Sequence, residues 1–287
     1  MSGHLTRVRG AVARALDRQR LRASHAEALP QLAVLGVVCG LLAASAMIAF
    51  RTVIELAQGA FLPPGGPENY EGLPPEVRLA LPIAGGLAIG LAFLALPERM
   101  RYVGVIHVME RLAYHQGRLP LANAVVQFLA AGVAIVTGMP VGREGPAIHI
   151  GAALGSGAGQ RIGLPNNSLR VLAGCGVAAA IAASFNTPLA GVAFAIEVVL
   201  MEYTVVGFAP VILAAVSATA LTHVVYGSDA SFTVPQLTLA SVAELPFVLA
   251  MGLAIGVLAA AFTCQKQSGP QGSIPQGRRL QDRNHGG

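Results

Sequence analysis

Six stretches of this 287-residue chain pass without a single Asp, Glu, Lys or Arg: between Glu27 and Arg51, Arg78 and Glu98, Arg118 and Arg143, Arg170 and Glu197, Glu202 and Asp229, and Glu244 and Lys266. A bilayer core needs about 20 apolar residues per helix, and these runs reach that length repeatedly. A helix satisfies its own backbone hydrogen bonds, which lipid cannot do for it, so the runs predict an all-α, polytopic membrane protein. The composition agrees, with 54% hydrophobic against 11% charged residues and a mean hydropathy of +0.63. A soluble enzyme, a DNA-binding module and a disordered scaffold are excluded.

The formal charge of +5 does not argue for nucleic acid once it is divided along the chain. The first 29 residues carry six arginines against Asp17 and Glu27, and residues 264–287 carry four basic residues against Asp282, so the whole excess sits at the two ends. That distribution fits cytoplasmic termini beside anionic headgroups. Arg7, Arg9, Arg14, Arg18 and Arg22, interleaved with apolar residues, predict that residues 1–29 form an amphipathic helix on the inner surface of the cell membrane. Cys39, Cys175 and Cys264 have neither metal-ligand spacing nor an even count, and read as small buried hydrophobes.

A membrane unit is expected over residues 30–263. The spans begin at about 30–58 and 77–97, and the loop between them carries Glu68, Glu71 and Glu76 and belongs outside. Tyr102 to Tyr114 is too short and polar to cross alone and should be a partial or tilted helix. A third long apolar helix covers Leu119 to Met139 and breaks at Gly138-Met139-Pro140-Val141; another begins at Ala147 and runs to about Gln160. Glycines at 151, 155 and 159 give that helix a smooth stripe for close packing, a theme repeated at Gly86 and Gly90 and at Gly252 and Gly256. Later helices are expected at about 168–184, 187–203, 206–226 and 244–263. Residues 264–287, polar and rich in Gly and Gln, read as a disordered tail.

Gly142-Arg143-Glu144-Gly145-Pro146 interrupts apolar sequence at membrane depth, where an arginine and a glutamate are costly unless they serve a purpose. Pro146 suits the first turn of a helix, whose N–H groups and positive dipole end welcome an anion. Gly142 and Gly145 remove side chains that would block approach to the backbone. The Glu144 carboxylate can itself occupy an anion position and leave it when protonated or displaced, so it is the candidate gate. The other reading is that Arg143 and Glu144 mark a membrane–water interface.

This motif continues into Ala147-Ile148-His149-Ile150-Gly151 and is followed by Ser184-Phe185-Asn186-Thr187-Pro188-Leu189-Ala190-Gly191-Val192-Ala193-Phe194 leading to Glu197. The combination resembles the CLC chloride channel and chloride–proton antiporter family over roughly residues 30–263. The resemblance implies the first of two inverted repeats, built of broken and tilted helices, in a homodimer with one anion pathway per subunit. Chloride or a similar small anion would be the transported ligand, with no organic cofactor. It also implies that Glu144 gates, and that the backbone of Gly142, Arg143, Gly145, Pro146, Ala147 and Ile148 coordinates the anion. Tyr102-Val103-Gly104-Val105-Ile106 takes the place of the family's Gly-Ser-Gly-Ile-Pro, so Val103 replaces the ion-facing serine and Gly104 keeps its identity. Glu197 is carried over as a structural or proton-path residue. Exchangers often carry a second glutamate one position later, where this chain has Val198, which favours a channel or an uncoupled pathway.

Two further readings stand beside this one. The family's second repeat does not follow, so a truncated or frame-shifted product that does not transport is an alternative, as is a half-length protein that pairs two copies. An intramembrane serine hydrolase would need a nucleophile and base in reach, with Ser156 and His223 as the available residues.

Overall fold

A computed structural model describes residues 29–63, 69–201, 205–227 and 245–268. The described residues contain no strand. Helix α1 spans Leu29–Phe61, α2 Pro75–Ala95, α3 Gly104–Tyr114, α4 Leu121–Val136, α5 Glu144–Ile162, α6 Asn166–Phe185, α7 Pro188–Phe194, α8 Val205–Tyr226 and α9 Leu245–Ser268. A π-helical turn, Ala195–Leu200, continues α7. Among the described residues, four helices are long and apolar enough to cross a membrane: α1, α2, α6 and the Gly207–Tyr226 part of α8.

Local chemistry sets the boundaries. Pro75 and Pro188 occupy first-turn positions, where a missing N–H costs nothing. At the end of α5, Gly163 turns left-handed at φ 73° and Leu164 N–H reaches the Gly159 carbonyl, closing the helix before Pro165. The α6 terminus uses Asn186 in the same way, at φ 54°. Arg101 folds back to donate to the Leu94 and Leu96 carbonyls at 3.0 and 2.9 Å, satisfying the end of α2.

Helix α6 is the hub, packing on α1, α5, α7 and α8. In its most apolar window 72% of the residues are buried, against 6% for α2. Its centre is a run of small residues, Ala173 to Ala180, all fully enclosed. The glycine stripe on α5 behaves as its spacing predicts. A Cβ on Gly151 would strike the Gly176 carbonyl oxygen, and one on Gly155 the Leu172 carbonyl oxygen, so the α5 and α6 backbones touch. Without water to drive helices together, such close van der Waals approach is what holds them. Gly36 and Gly40 do the same for α1 against the carbonyls of Pro210 and Ala214 on α8, a pair the sequence reading passed over. The predicted pair Gly86 and Gly90 is not used in that way. In α2 it is Gly85 that faces Thr137, while a Cβ on Gly90 would meet nothing within 4 Å.

Several expected boundaries move: α1 runs to Phe61 rather than 58, α4 ends at Val136 rather than Met139, and α7 with its π-helical turn ends at Leu200 rather than 203. Helix α5 starts at Glu144 rather than Ala147, and α9 continues through Ser268, past the expected end at 263, because Cys264 to Ser268 break no helical rule. The proposed surface helix at 1–29, apart from Leu29, and the remainder of the tail, 269–287, lie outside the described residues. The chain divides into two units at residue 231, and α9 forms the described part of the second.

Candidate functional site

The start of α5 is built by the turn that ends α4. Gly138, at φ 74°, reverses the chain and packs under the Tyr70 ring. The Tyr70 hydroxyl sits 2.9 Å from the Ile135 and Val136 carbonyls and receives the Gln58 amide at 2.9 Å, fixing the corner to the end of α1. From there a tight turn, closed by Val141 N–H donating to the Met139 carbonyl at 2.7 Å, leads to Arg143, which caps α5 without a side-chain bond.

Glu144 and Gly145 are the first two helical residues, and their N–H groups have no acceptor within the helix. Pro146 is third and brings no donor. Ala147 N–H is used by the Arg143 carbonyl at 3.1 Å. The amides that Ala147 and Ile148 were expected to offer an anion therefore belong to the helix, and the outward donors are those of Glu144 and Gly145. The cause is the earlier helix start, which moves Pro146 from the first to the third position.

The Glu144 carboxylate lies back across Gly142: a Cβ on residue 142 would collide with its Oε2. Glycine there is what permits this conformation. Gly145 has open space at its Cα. Glu144 is exposed and Arg143 half-buried, while Pro146 and Ala147 in the same turn are buried. Arg143 shares a small cleft of about 20 Å³ with Arg51, Ser184 and Tyr226. Arg51 stacks on the Tyr226 ring at 4.1 Å and pairs with Glu55 at 2.6 Å.

Val103 and Gly104 come to the other side of α5. Val103 is extended and caps α3 with no side-chain bond, as a residue without a hydroxyl must. Gly104 turns left-handed at φ 87°, with nothing within 4 Å of where a Cβ would stand. Its N–H does not face open space, however, but donates to His149 Nδ1 at 3.2 Å. His149 Nε2 lies 3.4 Å from His107 Nδ1, and Gln127 Oε1 lies 3.4 Å from His149 Nδ1. All three side chains are buried. The sequence alone marks none of the three as a site. Helical phase alone could have placed His149 toward α3, but not against a particular amide.

Glu197 lies on the π-helical turn that packs on α6, with its side chain exposed. The serine and histidine of a hydrolase are not brought together. Ser156 donates to the Gly117 carbonyl at 2.6 Å and accepts from Leu119 N–H and Gln160, while His223 bonds Asn186 Oδ1 at 2.6 Å. Cys39 and Cys175 are free and buried, as expected.

Comparison with known proteins gives a consistent picture. The family described as Voltage gated chloride channel matches residues 85–268. The Voltage-gated ClC-type chloride channel ClcB of Salmonella typhi is 32% identical over 230 residues, covering 78% of this chain and 55% of that protein. The chain thus spans about half the length of the curated relatives it matches. Among solved structures, a CLC-type fluoride/proton antiporter superposes with a TM-score of 0.67 at 23% identity, over 83% of this chain and 57% of the other. A slow cyanobacterial Cl⁻/H⁺ antiporter gives 0.61 at 22% identity, over 83% and 56%.

Proposed function

The chain belongs to the voltage-gated chloride channel family, and from that premise we propose that it forms a pathway for chloride or another small monovalent anion across a membrane, gated by Glu144. The observation that carries this reading is the Glu144 carboxylate folded over Gly142 at the start of α5. An anion at a helix N-terminus is stabilised by about 0.3–2 kcal/mol, and the carboxylate takes that stabilisation for itself while ionised. Protonation removes its charge, and a permeating anion then takes its place before the Glu144 and Gly145 amides. Gly142 and Gly145 give clearance, Arg143 adds positive charge, and Pro146, Ala147 and Ile148 hold the turn rigid. Val103 and Gly104 form the facing wall.

Val198, standing where an exchanger would need a second carboxylate, supports a channel-like pathway, with Glu197 left as the nearest proton-path candidate. The relatives' names include both channels and antiporters. The cell membrane, a cytoplasmic N-terminus and a homodimer complete the reading.

The test is chloride efflux from liposomes carrying the 287-residue chain, beside Glu144→Gln. Near pH 8 the variant should run about fivefold to tenfold faster, the rate equivalent of the helix-terminus stabilisation. Equal rates near pH 8, or no efflux from either protein, would overturn the reading.

A further inference from the structure

The buried cluster around His149 is not used by the gate just described, and its bonding has a definite logic. Gly104 N–H is a fixed donor, so His149 Nδ1 must be an acceptor and the neutral ring carries its proton on Nε2. That proton faces His107 Nδ1. A bare Nδ1 and Gln127 Oε1 are both acceptors, so in the neutral state the contact between them is no hydrogen bond and the single Nδ1 lone pair serves Gly104 N–H. If His149 takes a second proton the roles invert. Nδ1–H then needs an acceptor, Gln127 Oε1 stands 3.4 Å away to supply it, and His107 Nδ1 still accepts from Nε2. The imidazolium has both donors partnered, which a buried cation requires. The one bond that cannot survive is that of Gly104 N–H, which faces a donor once Nδ1 is protonated.

We propose that His149 is a proton-operated latch on the Gly104 amide: neutral, it holds the amide; protonated, it turns to Gln127 and releases the amide to the transported anion. The proposal rests on the anion pathway above and assigns its regulation. His107 connects the latch to a cleft of about 620 Å³ lined also by Arg99, Glu110, Arg111, His115 and Asn123, through which a proton from water reaches the pair. Of the elements packed on α5, α3 brings His107, Glu110 and Arg111, and His115 follows its end; α4 brings only the neutral Asn123 and Gln127 toward the cluster, α6 carries Arg170 and Cys175, and α1 carries Cys39 and the Arg51–Glu55 pair. His107 is the titratable group that acts on His149 directly, and it is itself acted on by Arg111, Glu110 and His115. A buried imidazolium beside a freed amide favours an anion there, and by linkage the anion favours the proton.

The experiment uses the full chain carrying Glu144→Gln, so that the gate contributes no titration. Chloride binding by isothermal titration should be about fivefold tighter or more near pH 3.5 than near pH 8, within the usual range of coupling between two sites. Adding His149→Gln, whose amide oxygen accepts from Gly104 without titrating, should abolish that difference. In parallel, ¹⁵N spectra of labelled histidine should show His149 with a bare Nδ1 near pH 8 and both nitrogens protonated near pH 3.5. Binding whose pH dependence survives His149→Gln, or a bare Nε2 near pH 8, overturns the latch alone. Chloride binding absent at both pH values, with the tautomer as expected, overturns the anion pathway and the latch with it.

Discussion

At the scale of single residues, the side chains that hold the corners of this fold are polar ones whose partners are backbone atoms. Tyr70 is the clearest case. It meets two carbonyls at the end of α4 and the Gln58 amide, so Tyr70→Phe leaves buried polar groups unpaired. The expected loss is about 1–3 kcal/mol, read as a lower melting temperature in detergent. Ser156 is similar: it bridges Gly117, Leu119 and Gln160 inside the protein. Ser156→Ala should cost about 1–3 kcal/mol of stability while leaving the chloride efflux of the surviving folded protein intact. A serine nucleophile would show the opposite pattern, with stability kept and activity lost.

At the scale of elements, backbone contact between α5 and α6 is the tightest joint in the molecule. Gly151 and Gly176 face each other such that a Cβ on either would meet the other's carbonyl oxygen. Gly155→Val should therefore force the helices apart and destabilise by about 1–3 kcal/mol or more, whereas the same change at Gly90, which faces open space, should be close to neutral apart from helix propensity. Thermal unfolding of the two variants side by side measures the difference. The stripe at 151, 155 and 159 was legible because four-residue spacing on one helix face is a geometric fact. The spacing at 86 and 90 is identical but does not bring backbones together, because a stripe says that a helix can approach closely, not whether a neighbour lies on that side.

For the whole molecule, the contrast between α6 and α2 predicts what lipid touches. Helix α2 exposes Leu79, Ile83, Leu87, Leu91 and Leu94, while Phe50 on α1 is 2% exposed. The chain has no tryptophan, so a single one introduced by Leu87→Trp or Phe50→Trp reports cleanly. Brominated lipid should quench the Leu87→Trp protein strongly and the Phe50→Trp protein weakly. Equal quenching would mean that the packing described for α1 does not hold in a bilayer.

The sequence by itself determined the class of the protein, because the absence of charge over a bilayer's thickness leaves a chain no structure but helices, and it located the broken segment at 142–146, because Gly, Pro and a charged pair punctuate helices by local chemistry alone. It also marked Glu144, since a carboxylate at a helix start has a one-dimensional signature. What only the tertiary structure decided was which amides remain to bind anything. Helix α5 begins at Glu144, two residues ahead of Pro146, so Ala147 turns its N–H inward to the Arg143 carbonyl. The Gly104 amide is held by His149, 45 residues away, from a helix whose approach is fixed by packing. Hydrogen bonds within a turn are written in neighbouring residues; those between helices depend on crossing geometry, which many small contacts set together and no local pattern records.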